Sequence, residues 1–210
     1  MEPKKRREQE AAVMKELILD TAARLIAQKG TDQLSIRKIA AEIGYTPGII
    51  YHYFQNKDDI ISQCMQQGYR RVVQAVSLPV SSEIDPVEEL QAMTKRYMQN
   101  ALEMGDQFIR MHLSQSADVQ QYTTFLHAGA AMEKSALKQL YDCLARMHRI
   151  AGEPLHPQLE MLAQLIASST FGVISKLVAE KGVPVQQQEA LIEYFADIVV
   201  VEMAKGGLGK

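Results

Sequence analysis

The stretch GYTPGIIYHYFQNKDD, from Gly44 to Asp59, decides how the rest of this chain is interpreted. Thr46 and Pro47 are typical of a helix start, because threonine accepts a hydrogen bond from a free N–H at the N-cap and proline has no N–H to leave unpaired at the first helical position. The helix that follows carries tyrosines, a histidine and a lysine. A core helix does not need so many side chains that form hydrogen bonds, so we expect this one to face a polar partner.

The residues on either side indicate a helix-turn-helix, in which two short helices meet at a tight turn that contains glycine. We predict the first of these helices over Ser35–Glu42, ended by Gly44, and the second over Thr46–Tyr53. In this motif the second helix enters the major groove with its N-terminus first. Small residues there let the backbone approach the bases, and large polar ones reach phosphates.

The remaining spacing is helical almost throughout, with no period-2 strand pattern. An earlier helix is predicted over Ala11–Gln28, and Asn56 caps another that continues to Val76. Beyond a linker at 77–86, we expect further helices that begin near Pro86 and Phe108, a long helix over Val119–Ile150, and a last pair over 157–180 and 185–204. The predicted fold is all-α: an N-terminal three-helix DNA-binding domain (1–57), a connecting helix (58–76) and a helical ligand-binding and dimerisation domain (77–210).

Charge and composition favour an intracellular DNA-binding protein. Residues 1–57 hold ten Lys and Arg against seven Asp and Glu, although the whole chain has a net charge of −2. A basic end suggests contact with a polyanion. No run of eighteen apolar residues argues for a membrane span, and the N-terminus does not resemble a secretory signal. We therefore predict a cytoplasmic protein, with Cys64 and Cys143 as free buried thiols.

Known catalytic and metal-binding patterns are missing from the sequence. Cys143 and His148 do not have the spacing of one helix face, and there is no HExxH, phosphate-binding loop or nucleophile elbow. We predict no enzyme activity, no cofactor and no metal.

The segment SIRKIAAEIGYTPGIIYHYFQNKDDII, from Ser35 to Ile61, resembles the signature of the tetracycline-repressor (TetR/AcrR) family of bacterial regulators. The match includes Gly44, Gly48, Tyr51, Phe54 and Asn56-Lys57, and with the first helix it covers about fifty residues. The resemblance implies DNA contacts at matching positions, which are Ser35, Arg37, Thr46, Pro47, Gly48, Tyr51, His52 and Lys57. It also implies a homodimer through 157–180 and 185–204, and a ligand in the body that changes the spacing of two DNA-binding heads.

Several positions remain open between alternatives. Ile49 is apolar where many relatives are polar, and it either contacts a thymine methyl or packs inward. Tyr53 either reaches a phosphate or packs against the first helix. The basic run Lys4–Arg7 is either a solvated tail or an arm that contacts DNA.

For the effector site we select apolar and aromatic residues in the middle of the chain, where flexible thioethers suit promiscuous apolar pockets. A plain core is the alternative interpretation of the same residues. The candidate ligand-binding set is Met93, Tyr97, Phe108, Met111, His112, Tyr122 and Phe125.

We predict a transcriptional regulator, a repressor released from a pseudo-palindromic operator by a small, largely apolar effector. One alternative is an effector-free DNA-organising protein with the same head. Another is a helical enzyme with a coincidental N-terminal motif, against which the missing catalytic residues argue.

Overall fold

A computed structural model describes residues 3–77, 84–115, 117–151 and 154–206 of the chain. Those residues are helical, with turns and no strand, as the all-α prediction requires. The chain divides into two compact units. The first comprises 1–69 and 106–123, and the second comprises 70–105 and 124–210.

The first unit is built on α1 (Pro3–Lys29), α2 (Ile36–Glu42), α3 (Pro47–Ile50), the first part of α4 (Lys57–Val76), α6 (Asp106–His112) and α7 (Ala117–Thr123). Its core joins one face of α1 to α2 and the α3 segment. The core side chains include Ile18, Leu25, Ile39, Ile50 and Phe54. Ile36 and Ile43, two other apolar residues of this region, are only half-buried.

The first helix begins at Pro3, well before the predicted Ala11, so Lys5, Arg6 and Arg7 lie on a helix rather than in an irregular tail. The predicted apolar pattern also fails at its start. Val13 and Leu17 are 67% and 43% exposed, because this part of α1 lies before the turns that pack on the rest of the unit.

The second unit contains the end of α4 together with α5 (Pro86–Met104), α8 (Ala130–Glu133), α9 (Ser135–His148), α10 (Pro157–Ala179), α11 (Val185–Tyr194) and α12 (Val201–Gly206). Helix α5 starts as predicted, because the Asp85 carboxylate accepts a hydrogen bond from the Val87 N–H at 2.8 Å. Buried side chains of α5, α9 and α10 form its core, among them Leu90, Met98, Leu144 and Ile166.

The long helix predicted over Val119–Ile150 is wrong. It is divided into α7, α8 and α9, with an irregular segment over 124–129. The break has a specific cause. The buried carboxylate of Glu160, on α10, accepts hydrogen bonds from the N–H groups of Gly129 and Ala131 at 3.0 and 2.9 Å, and so caps the new helix start.

The last two predicted helices are present with small differences. The second runs from α11 into α12 through a π-helical turn over Phe195–Val200. Helix α10 is long and apolar enough, by length and composition, to cross a membrane, which the sequence reading did not anticipate. One such helix is weak evidence for a span, because core helices of soluble proteins have the same composition.

The compact units differ from the predicted boundaries at 57 and 76, since α6 and α7 belong with the first unit. Division of labour between DNA binding and effector binding along those boundaries stays a prediction.

Candidate nucleic-acid interface

The turn between α2 and α3 is fixed by local hydrogen bonds. Ser35 caps α2, with its hydroxyl oxygen accepting from the Lys38 N–H at 3.2 Å. At the other end Gly44 adopts φ 74°, a left-handed conformation that favours glycine. The Tyr45 N–H then donates to the Ala40 carbonyl at 2.9 Å, which closes the turn and directs the chain into α3.

The α3 segment is attached to the unit by one side only. Ile50 is fully buried and Phe54 is 2% exposed, and the ammonium of Lys15 lies 5.5 Å from the centroid of the Phe54 ring. The opposite side is open: Tyr51 is 60% exposed, and His52 is exposed as well. The segment is therefore held rigidly while it presents a polar surface.

The start of α3 carries small exposed residues, Thr46, Pro47 and Gly48. Thr46 occupies the N-cap position as predicted, but its side chain accepts no hydrogen bond there, which corrects the expected cap. Its hydroxyl lies instead 3.8 Å from where a Cβ on Gly48 would stand.

Ile49 and Tyr53 are both half-buried, so neither of the alternatives left open for each is excluded. Arg37 is exposed on α2, close in sequence to the Ser35 cap. An ion pair from Arg24 to Glu42, at 2.9 Å, joins α1 to the end of α2.

The start of α4 has the reciprocal capping arrangement predicted for it. Asn56 Oδ1 accepts from the Asp59 N–H at 2.8 Å, and the Asp59 carboxylate accepts from the Gln55 N–H at 2.9 Å. Lys57 is half-exposed at the first position of this helix, where N–H groups have no intrahelical partner. Lys57 thus adds a charge next to the α3 segment.

Sequence reasoning missed Tyr45, which is 48% exposed immediately before the α3 cap. An aromatic residue between two short helices is easily interpreted as core. The available signal is its position: it follows the glycine of the turn, where the chain is already at the surface.

The predicted ligand-binding residues are distributed over both units. Phe108, Met111, His112 and Tyr122 belong to the first, and Met93, Tyr97 and Phe125 to the second. Met93, Phe108 and Met111 are buried. Burial raises the pKa of the Tyr97 hydroxyl and lowers that of His112, although a hydrogen bond from His112 Nδ1 to the Phe108 carbonyl at 2.9 Å opposes the latter shift.

The first unit holds a cavity of about 670 Å³ between the end of α1 and α6. Its walls include Ile26, Met65, Ile109 and Val119, and from the predicted ligand set Met111. The other described members of that set do not line it.

In the second unit several buried polar atoms lack a hydrogen-bonding partner among the described residues. Arg96 Nε and Asn100 Oδ1 are four residues apart on α5, and Asp197 Oδ1 belongs to the π-helical turn. The other Asp197 oxygen accepts from Lys95 at 2.7 Å. Sequence reasoning did not select these residues, because helix periodicity alone does not show which polar side chains are buried.

Metal chemistry finds no support in the described parts of the chain, where no group of three or more His, Cys, Asp or Glu side chains could hold an ion. Cys64 and Cys143 are free and buried, as predicted. Burial raises the pKa of each thiol to about 12.

Comparison with known proteins places this geometry in a family. The family model described as bacterial regulatory proteins, tetR family, matches residues 18–64. The HTH-type transcriptional regulator BetI of Brucella abortus is 29% identical over 161 residues, which cover 72% of this chain and 74% of that protein.

Solved structures share the fold. The fatty acid degradation regulator FadR from Bacillus halodurans superposes with a TM-score of 0.61 at 20% identity, over 93% of this chain and 96% of that one. SmeT, the repressor of the Stenotrophomonas maltophilia multidrug efflux pump SmeDEF, gives 0.63 at 19% identity, over 90% and 88%. The sequence matches include the helix-turn-helix, and the structural matches extend over most of the chain. The chain therefore belongs to the tetR family of bacterial regulatory proteins, whose members are DNA-binding transcription regulators and not enzymes.

Proposed function

We propose that this protein is a cytoplasmic, homodimeric repressor that leaves a pseudo-palindromic operator when it binds a small, largely apolar effector. The observation that carries the proposal is the α3 segment, which is anchored by Ile50 and Phe54 and turns Thr46, Tyr51 and His52 outward. A rigid polar surface at the second helix of this motif is suited to the major groove.

Gly48 supports direct approach to DNA. Glycine in an exposed helix costs about 0.5–1 kcal/mol relative to alanine. Nothing inside the protein requires it, because a Cβ at this position would have only the Thr46 hydroxyl as a neighbour, at an ordinary 3.8 Å. A glycine that the fold does not need is explained if the backbone here lies against a partner.

The proposed DNA-contacting surface comprises Ser35, Arg37, Thr46, Pro47, Gly48, Ile49, Tyr51, His52 and Lys57, and we add Tyr45 to it. Tyr51, His52 and Lys57 supply hydrogen bonds or charge for phosphates on either side of the groove. The small residues at the start of α3 face base edges.

Dimerisation through the last two helices is supported by their exposed apolar side chains. On α10, Met161 and Leu165 are 57% and 54% exposed, and on α11 Leu191 and Tyr194 are 40% and 63% exposed. In each helix the residues are three or four apart and so share one face. Both faces belong to the second unit, and contact with a second copy would remove them from water.

An effector site in the second unit is supported by α5. Met93 and Tyr97 of the candidate set lie on this helix beside Arg96 and Asn100, whose buried Nε and Oδ1 atoms have no partner among the described residues. Buried polar atoms are ordinarily hydrogen-bonded to protein, water or ligand. A mainly apolar molecule with one acceptor and one donor would complete them.

The mechanism is thermodynamic linkage. A ligand that binds better to the dimer when its heads do not match successive major grooves must weaken operator binding, and the operator must weaken ligand binding by the same factor. Two symmetric heads require half-sites about 34–36 Å apart.

The test is a gel shift across a salt series on the DNA that flanks the protein's own gene. The variants are Tyr51→Ala/Lys57→Ala and, as a charge control, Lys181→Ala in the second unit, where the side chain is exposed. A discrete complex that survives in the control and is lost in the double variant supports the proposal. If the folded wild-type dimer binds neither this DNA nor any duplex selected from a random pool, the proposed function is wrong.

The effector-free DNA-organising alternative predicts a different response to ligands. Apolar compounds should then leave the unfolding temperature unchanged, whereas an effector that binds the folded protein raises it with concentration. An Asn100→Leu variant should lose that rise if α5 provides the polar contact.

A further inference from the structure

The first turns of α1 lie outside the core that this helix builds. Its buried side chains lie between Ile18 and Ile26, whereas residues 5–10 are all exposed. The helix nevertheless begins at Pro3. About three turns therefore project from the first unit, and the sequence over them is unusually basic, PKKRREQE.

The direction of the projection follows from contacts within the first unit. The end of α1 faces α6, since Ile26 and Ile109 line the same cavity. Further back, Lys15 lies over the ring of Phe54, which follows the α3 segment. Going from Ile26 to Lys15, the helix thus runs from α6 toward the DNA-contacting surface. At about 1.5 Å per residue, Arg7 stands about 12 Å beyond Lys15 along the axis.

Helical geometry also gives the side of the helix on which each cation stands. Eleven residues make three turns to within about 20°. Arg7 precedes the buried Ile18 by eleven residues, with the half-buried Ala11 and Met14 between them on the same face. The face that packs on the unit further along therefore carries Arg7 where the helix has left it.

Arg6 stands on the other side. It precedes Leu17 by eleven residues, and Leu17 is 43% exposed. Its guanidinium is also paired, 3.3 Å from the carboxylate of Glu10 one turn later. Arg7 forms no ion pair among the described residues, so its charge is available to a partner.

We infer that the projecting turns of α1 bind double-stranded DNA through Arg7, which contacts backbone phosphate just outside the half-site read by α3. This inference rests on the proposed function. The partner is identified by charge and position: a cation about 12 Å past the reading segment, on the helix face directed toward it, meets a row of phosphates. Glu8, next to Arg7 and eleven residues before the buried Leu19, lies on the same side and opposes this contact.

The test compares Arg7→Ala with Arg6→Ala, two substitutions that remove the same charge from adjacent residues on different sides of one helix. Each full-length variant is titrated with the operator across a salt series, after circular dichroism confirms its fold. We expect Arg7→Ala to make the slope of log K against log salt shallower by about 0.9, the value for one phosphate contact. Arg6→Ala should keep the wild-type slope.

Two further measurements make the position of the contact testable. Flanking base pairs added to a minimal operator should tighten wild-type binding several-fold and leave the affinity of Arg7→Ala unchanged. Glu8→Gln should tighten binding, because it removes a negative charge from the same side. Equal slopes for the two arginine variants, or the same gain from flanks in wild type and Arg7→Ala, would overturn the contact while the proposed function stands. Absence of any specific wild-type complex would overturn both.

Discussion

Adjacent isoleucines in the α3 segment have different environments, and this gives the sharpest prediction at the residue scale. Ile50 is fully buried, so Ile50→Ala should lower the free energy of unfolding by about 2–5 kcal/mol. Ile49 is half-buried on the proposed DNA side. Ile49→Ala should cost less than about 1 kcal/mol but weaken operator binding several-fold, through loss of contact with a base.

Chemical denaturation and gel shifts on the same two preparations check this pair. An Ile49→Ala variant with normal operator affinity and a large loss of stability would show that this side chain packs inward, which is the other alternative that the sequence leaves open.

His112 gives a prediction about pH. Its pKa is lowered from 6.5 because burial disfavours the imidazolium, despite the Phe108 carbonyl that accepts from its ring N–H. A group whose pKa is lower in the folded state stabilises the protein above its unfolded pKa. That stability is present above about pH 6.5 and is lost as the pH falls through the folded value. Unfolding midpoints measured from pH 8 to pH 5 should therefore decline, and less so in His112→Gln. An identical decline in that variant would assign the effect to other groups.

The residues that could be predicted from sequence are those fixed by local rules. Ser35, Asn56 and Asp59 form the expected caps because each bonds an N–H three or four residues away. Thr46 has the same type of side chain in the same position but does not form its bond. Exposure was harder: Tyr45 is at the surface because of how α2 and α3 meet, which local sequence does not encode.

At the scale of elements, the prediction failed where a distant residue interferes. Val119–Ile150 has helical periodicity throughout, yet Glu160 ends that continuity from about thirty residues away by binding the N–H groups of Gly129 and Ala131. Gly129 has φ 85°, which also favours a break. The π-helical turn after α11 is another feature of packing, since its sequence, FADIVV, is compatible with an ordinary α-helix.

Glu160 should accordingly be one of the costlier polar side chains to remove. Glu160→Ala leaves two N–H groups of the α8 start without their acceptor in a buried site, and we expect a loss of about 1–3 kcal/mol. Glu133→Ala is the control, since this exposed residue forms only a surface pair with His127 and should change stability by less than about 0.5 kcal/mol. Thermal or urea unfolding of both proteins decides. Equal effects would mean that the α8 cap contributes nothing specific.

At the scale of the whole molecule, the uneven charge and the exposed apolar faces become consistent with each other. The basic residues lie toward the N-terminal end of the sequence, and the apolar faces of α10 and α11 belong to the second unit. One copy of the first unit offers a small reading surface, and affinity for a long site rises when two copies are linked. A dimer formed by the second unit provides that link. The membrane-like composition of α10 is then explained by an interface that removes its exposed side chains from water.

Leu165 tests this explanation. A charge at the centre of an apolar interface is costly because it must be desolvated without a partner. Leu165→Glu should therefore convert the dimer to monomers at micromolar concentration and weaken operator binding at least tenfold. The matched control is Val185→Glu, which changes an even more exposed apolar residue, at 67% against 54%. It lies about 120° around α11 from Leu191 by helical geometry. Analytical ultracentrifugation gives the mass of each variant, and circular dichroism confirms that the monomer is folded. A dimeric Leu165→Glu protein with normal operator affinity would show that these faces are not the interface, and the membrane-like composition of α10 would then need a different cause.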